Sequence, residues 1–62
     1  MIKKGSQVII KGSAEEEKYK GNIFEVLSEP YEICGSKVVK IKCNETGKYF
    51  GGGYDLEFLR EV

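Results

Sequence analysis

Two thiols, ten carboxylate side chains, four phenols and no imidazole are the groups with chemistry to offer in this sequence. Cysteine nucleophiles need a neighbouring base, and acid–base catalysis near neutral pH draws first on histidine. Without one, Cys34 and Cys43 have nothing to activate them, and two cysteines alone cannot complete a structural zinc site. No nucleophile-elbow pattern occurs, and the glutamates fall where no rigid scaffold would hold two of them as a pair. The sequence therefore assigns no catalytic residue, no cofactor and no metal ligand, and the chain is read as a non-enzyme.

The thiols are not read as redox partners. With a hairpin turn at Gly35-Ser36, Cys43 lies six residues beyond Lys37, the residue facing Cys34. That is about 20 Å at ~3.3 Å per residue, far beyond disulfide reach. Cys43 reads as a small core residue and Cys34 as a turn thiol. Gly51-Gly52-Gly53 lacks the Gly-Lys-Ser/Thr ending of a phosphate loop and reads as a bend.

Binding is the better-supplied chemistry. Lys37, Lys40, Lys42 and Lys48 make residues 37–48 basic, close in sequence to Tyr49, Phe50 and Tyr54. Lysines on phosphates with aromatics stacked on unpaired bases would hold a single-stranded nucleic acid. The plainer reading is lysines on a wet strand face and aromatics in the core, and the balance of 10 basic against 10 acidic residues supports no polyanion partner. Tyr19, Tyr31, Tyr49 and Tyr54 are candidates for a protein-binding rim, with core filling the alternative. Glu15-Glu16-Glu17 is a candidate acidic docking loop, or a stretch that keeps the domain soluble. A protein partner is the first expectation, nucleic acid the second, and the chain is expected to be a monomer or weak homodimer.

The elements that position these groups are short. Gln7–Lys11 reads as a strand with Val8 and Ile10 inward, and Gly12–Asn22 as a long connection. Within it Ser13 and Glu16 have the spacing of a helical cap, and Tyr19 is the residue able to tuck back onto the core. Ile23–Ser28 is a second strand, ended or bent by Glu29-Pro30, with Tyr31–Cys34 an extended arm beyond it. Lys37–Cys43 alternates Val39, Ile41 and Cys43 with Val38, Lys40 and Lys42, one face buried and one wet. Asn44–Gly47 is a hairpin loop, and Lys48–Phe50 opens a fourth strand that dissolves into the glycines. Tyr54–Phe58 forms a 3₁₀ turn capped by Asp55, and Leu59–Val62 is the last strand.

Sixty-two residues are read as one domain with a modest core. The longest strongly apolar run, Val8-Ile9-Ile10, is far short of the roughly 20 residues of a membrane helix. No apolar block opens the chain, so no membrane is expected and the location is read as cytoplasmic.

Five short strands, one long early loop and a 3₁₀ turn before the last strand describe an all-β, five-stranded SH3-like barrel. Lys4–Ile10, then Tyr19-Lys20-Gly21, then Glu25-Val26-Leu27, resemble the KOW-type segment of SH3-like barrels in ribosome- and transcription-associated proteins. The resemblance spans about half the chain and implies the fold. The acidic Gly12–Gly21 connection and Phe24, which stands at a family glycine, depart from that pattern, so RNA binding is not carried over with it.

Overall fold

The computed structural model describes Met1–Val62 as six strands and one 3₁₀ turn. They are β1 (Gln7–Ile10), β2 (Phe24–Val26), β3 (Tyr31–Ile33), β4 (Ser36–Cys43), β5 (Tyr49–Asp55), the turn Leu56–Phe58, and β6 (Leu59–Glu61). All pairings are antiparallel and belong to one sheet, ordered β3-β4-β2-β1-β6 with β5 also on β4. The count of five is corrected to six, because the arm after Pro30 forms a ladder of its own. The closed barrel is also corrected: β5 pairs only β4 and β6 only β1, so the sheet has open edges that the 3₁₀ turn connects.

The eight-residue β4 organises this sheet. On one edge it carries β5; on the other it carries β2 near its end and β3 near its start. Val26 faces Ile41 and Tyr31 faces Val38, an advance of five residues against three. The two extra residues fall in the Leu27–Pro30 bend, where proline has no N–H for a ladder. The Lys40 N–H donates to the Ser28 hydroxyl at 3.1 Å, satisfying a group the bend would otherwise leave open. β2 and β3 are thus one strand, broken where the sequence puts Glu29-Pro30.

β5 is bent by a second insertion. Phe50 faces Ile41 and Tyr54 faces Val39, four residues against two, and the surplus is absorbed at Gly51–Gly53. The strand continues through the glycines instead of ending there, as a bulge that increases local twist. The β3–β4 turn is Cys34-Gly35, one residue before the expected pair, since Ile33 faces Ser36. Both turn residues have positive φ, 49° and 83°, the geometry that matches the twist of the flanking strands.

One face of the sheet forms the core. Val8 and Ile10, Phe24 and Val26, Val39, Ile41 and Cys43, Tyr54 and Leu59 come from five strands, and Tyr19 joins them from the long connection. Tyr19, Phe24, Phe50 and Tyr54 meet edge to face, with ring centroids 5.5–5.9 Å apart. Such contacts add about 0.5–1.5 kcal/mol to what burial supplies. The Gly12–Asn22 connection is a run of turns, closed by the Tyr19 N–H on the Glu15 carbonyl at 3.1 Å.

Candidate interaction surface

The alternation on β4 decides which groups can meet a partner. With Val39, Ile41 and Cys43 inside, Val38, Lys40 and Lys42 point to the opposite face. Val38 is nonetheless buried, and it lies outside the core cluster. Its cover comes from Tyr31, directly opposite on β3, and from the backbone of Gly53. A Cβ on Gly53 would lie 2.8 Å from Val38 Cγ2 and 3.0 Å from the Tyr31 hydroxyl. The same happens one pair along the strand: a Cβ on Gly51 would lie 2.6 Å from Tyr49 Cε2. The glycines therefore do more than bend β5. They make room for side chains packed on the strand, the Tyr49 ring on Gly51 and Val38 with the Tyr31 hydroxyl on Gly53.

Lys42 and Tyr49 are Cα partners across β4 and β5, and Lys40 lies opposite the bulge. Tyr49 is 55% exposed. The outer face thus unites Lys40, Lys42, Tyr49 and Tyr31. Glutamates border it on the other side, Glu25 opposite Lys42 and Glu32 opposite Lys37. The one ion pair in the chain joins the Met1 amino group to Glu61 at 2.7 Å, so no carboxylate holds any of these lysines.

The remaining candidates go elsewhere. Lys48 turns to the Phe50 ring, its Nζ 5.7 Å from the centroid. Lys37 lines a crevice with Gly35, Asp55 and Leu56 at the far end of β4. Tyr19 and Tyr54 lie in the core, so the four tyrosines share no rim. The acidic triplet is divided. Glu15 accepts from the Tyr54 hydroxyl at 2.8 Å, Glu16 accepts from the Gly12 N–H at 2.9 Å, and Glu17 alone is exposed with no such bond.

The Tyr54 hydroxyl also lies 3.1 Å from Ser13 Oγ. Burial raises the Tyr54 phenol above its ordinary value; Ser13 opposes this, and the bond to Glu15 and its charge push the same way as burial. The Tyr19 hydroxyl is buried with no partner. Burial pushes the Cys43 thiol up, but the Thr46 hydroxyl and the turn's backbone N–H groups together outweigh it, and the thiol rests below the usual value. Cys43 Sγ accepts from Asn22 at 3.5 Å and lies 3.6 Å from Glu45 Oε1. No three His, Cys, Asp or Glu side chains converge on a metal position, and no helix is long and apolar enough to cross a membrane.

Sequence reasoning grouped Lys40, Lys42 and Lys48 with Tyr49, Phe50 and Tyr54; of these the structure leaves Lys40, Lys42 and Tyr49 together on the outer face, while Tyr54 is buried and Phe50 packs against the core. The grouping missed Val38 as an outer-face anchor and the two tyrosine contacts on the glycines. The signal for these was the Tyr-X-Gly spacing of Tyr49 and Gly51, which puts ring and glycine on the same side of a strand. The class these features define is a small all-β protein of one antiparallel sheet with a tyrosine- and lysine-bearing outer face. No protein-family description, no curated protein and no solved structure matches the chain.

Proposed function

We propose that the chain is an SH3-like, non-catalytic protein-binding module, a monomer or weak homodimer working through the outer face of β4 and β5. The strand sequence β6-β1-β2-β4-β5, the long first connection and the 3₁₀ turn before the last strand support the SH3-like assignment. One observation carries the function: Tyr49 is an exposed ring laid on Gly51, beside Lys40 and Lys42, neither of which forms an ion pair. An exposed tyrosine ring is the kind of side chain that interaction sites concentrate, and the two lysines give it a charged border.

A nucleic-acid accessory is the second reading, favoured by the same Lys40, Lys42 and Tyr49. Against it stand Glu25 and Glu32 along the lysine row and the zero net charge. Capture from nuclease-treated extract of the source cell, using the chain and its Lys40→Glu/Lys42→Glu variant, separates them. The protein reading expects a partner that survives nuclease and is lost with the double substitution. Capture lost on nuclease treatment, and a complex weakening by about 0.7–0.9 log units per log unit of salt for each phosphate contacted, would hand the assignment to nucleic acid.

A further inference from the structure

We infer that the outer face docks on a second copy of this chain, through a row of four side chains that is complementary to its own reversal. This rests on the protein-binding reading above and names the partner that the surface fits. Gln7, Glu25, Lys42 and Tyr49 are Cα partners in turn across β1, β2, β4 and β5, and directly opposed residues share a face. Ile41 and Cys43, on either side of Lys42, are fully buried in the core, so the whole row lies outside. Its two middle members do not satisfy each other: Glu25 and Lys42 face one another on neighbouring strands yet form no ion pair. At the ends, Gln7 uses only its side-chain oxygen, which accepts from Asn44 at 2.8 Å. Of the four tyrosine hydroxyls only that of Tyr54 is bonded within the chain, which leaves the Tyr49 hydroxyl free.

The order of charges selects the occupant. Glu25 and Lys42 stand on strands about 5 Å apart. A lone carboxylate drawn to Lys42 is repelled by Glu25 at nearly the same distance, and a lone ammonium drawn to Glu25 meets Lys42. The face therefore favours a partner that presents one charge of each sign, at strand spacing and in the opposite order. The chain's own row is such a partner when turned over about a two-fold axis that runs along the strands between β2 and β4. Lys42 then meets the second copy's Glu25, Glu25 meets the second copy's Lys42, and each Tyr49 covers the other's Gln7, hydroxyl to amide. Every contact occurs twice, as an isologous interface requires. Facing sheets lie about 10 Å apart, a gap that lysine and glutamate side chains bridge from both sides. The inner face gathers five strands onto one core, which makes the outer face convex and limits contact to the row. That falls below the ~800 Å² a side of a stable complex, so the dimer is weak and depends on concentration.

The test uses the whole chain, isotope-labelled for amide NMR, diluted over about a hundredfold range, with sedimentation velocity on the same samples. The inference expects the sedimentation coefficient to fall on dilution and the amides of Gln7, Glu25, Lys42 and Tyr49 to shift with it. Glu25→Lys and Lys42→Glu, each alone, set like charges together at both contacts and should weaken association by about tenfold or more. Mixing the two should restore it: the labelled Glu25→Lys chain shifts at the same amides when unlabelled Lys42→Glu chain is added. The doubly exchanged Glu25→Lys/Lys42→Glu chain should associate like the parent. Amide spectra of the variants, dispersed like that of the parent chain, show that the loss is not unfolding. A chain that keeps one size at every concentration overturns the inference, as do dilution shifts confined to residues outside the row. Single exchanges that leave association unchanged, or a mixture that fails to restore it, overturn it too. The protein-binding reading is decided separately by the nuclease test and survives each of these results.

Discussion

The Tyr54 hydroxyl donates to the Glu15 carboxylate across 2.8 Å, joining β5 to the Gly12–Asn22 connection 39 positions away in sequence. Ser13 lies against the same hydroxyl, so one phenol gathers two residues of a connection that has no ladder of its own. The Tyr19 ring fixes the other end by packing on Phe24 and Phe50. Two tyrosines that sequence reasoning placed among the binding candidates thus hold the connection to the core. The free surface belongs to the other two.

Removing the two hydroxyls one at a time should have opposite consequences. Tyr54→Phe strips Glu15 and Ser13 of their partner in a half-buried place, and a cost of about 1–2 kcal/mol is expected. Tyr19→Phe deletes a buried hydroxyl that bonds to nothing, so stability should stay level or rise. Urea midpoints of the two variants against the parent chain check this. A Tyr19→Phe loss as large as that of Tyr54→Phe would contradict the assignment.

The raised Tyr54 phenol sets an alkaline limit. Burial and the Glu15 carboxylate disfavour its ionised form in the folded chain, whereas the unfolded chain ionises near 10. Above pH ~10 the unfolded state therefore holds fewer protons than the folded one. Stability is full below that value and falls as pH rises through the folded value. In tyrosinate absorbance titrations, the phase titrating above the ordinary phenol range should vanish in Tyr54→Phe. The decline of stability above pH 10 should become shallower in the same variant.

Most of the ladder was legible because its signals are local. The period of two in Val39, Ile41 and Cys43 places β4's inner face without reference to any other strand, and Asp55 caps the 3₁₀ turn through its bond to the Glu57 N–H as its position suggests. The two insertions were not legible. Whether Gly51–Gly53 ends a strand or bulges within it depends on Val38 and Tyr31, residues far away in sequence whose bulk leaves no room for a Cβ. Glu15 and Glu16 show the same limit. A run of three glutamates reads as a solvated acidic patch until a phenol from β5 and the Gly12 N–H donate to two of them.

The three glycines should respond unequally to alanine. At Gly53 a Cβ meets Val38 at 2.8 Å with φ at +98°, and strain there adds about 1–2 kcal/mol to the clash. At Gly51 it meets the Tyr49 ring at 2.6 Å, an exposed side chain that can swing away, so the cost should be smaller while Tyr49 leaves its seat. At Gly52 a Cβ meets nothing, and the change should stay near ~0.5–1 kcal/mol or less. Denaturant midpoints in the order Gly52, Gly51, Gly53, from least to most destabilised, are the expected outcome. Tyr49 amide and ring shifts confined to Gly51→Ala would confirm the contact.

The two thiols offer a direct measure of how often the core opens. Cys43 rests below the usual thiol value, which by charge alone would make it the faster nucleophile. Its side chain is fully buried, however, whereas Cys34 stands exposed in the β3–β4 turn. Access decides, because a reagent cannot attack a sulfur it does not touch. With an aromatic disulfide reagent at neutral pH, one thiol should be titrated at once and the other only on opening of the β2–β4–β5 core. The slow rate should rise with urea in step with global unfolding, and Cys34→Ser should abolish the fast phase alone. Phe24→Ala, which removes a fully buried ring packed between Tyr19 and Phe50, should cost about 3–5 kcal/mol. If opening governs access, that loss must quicken the Cys43 reaction by orders of magnitude and leave Cys34 as it was.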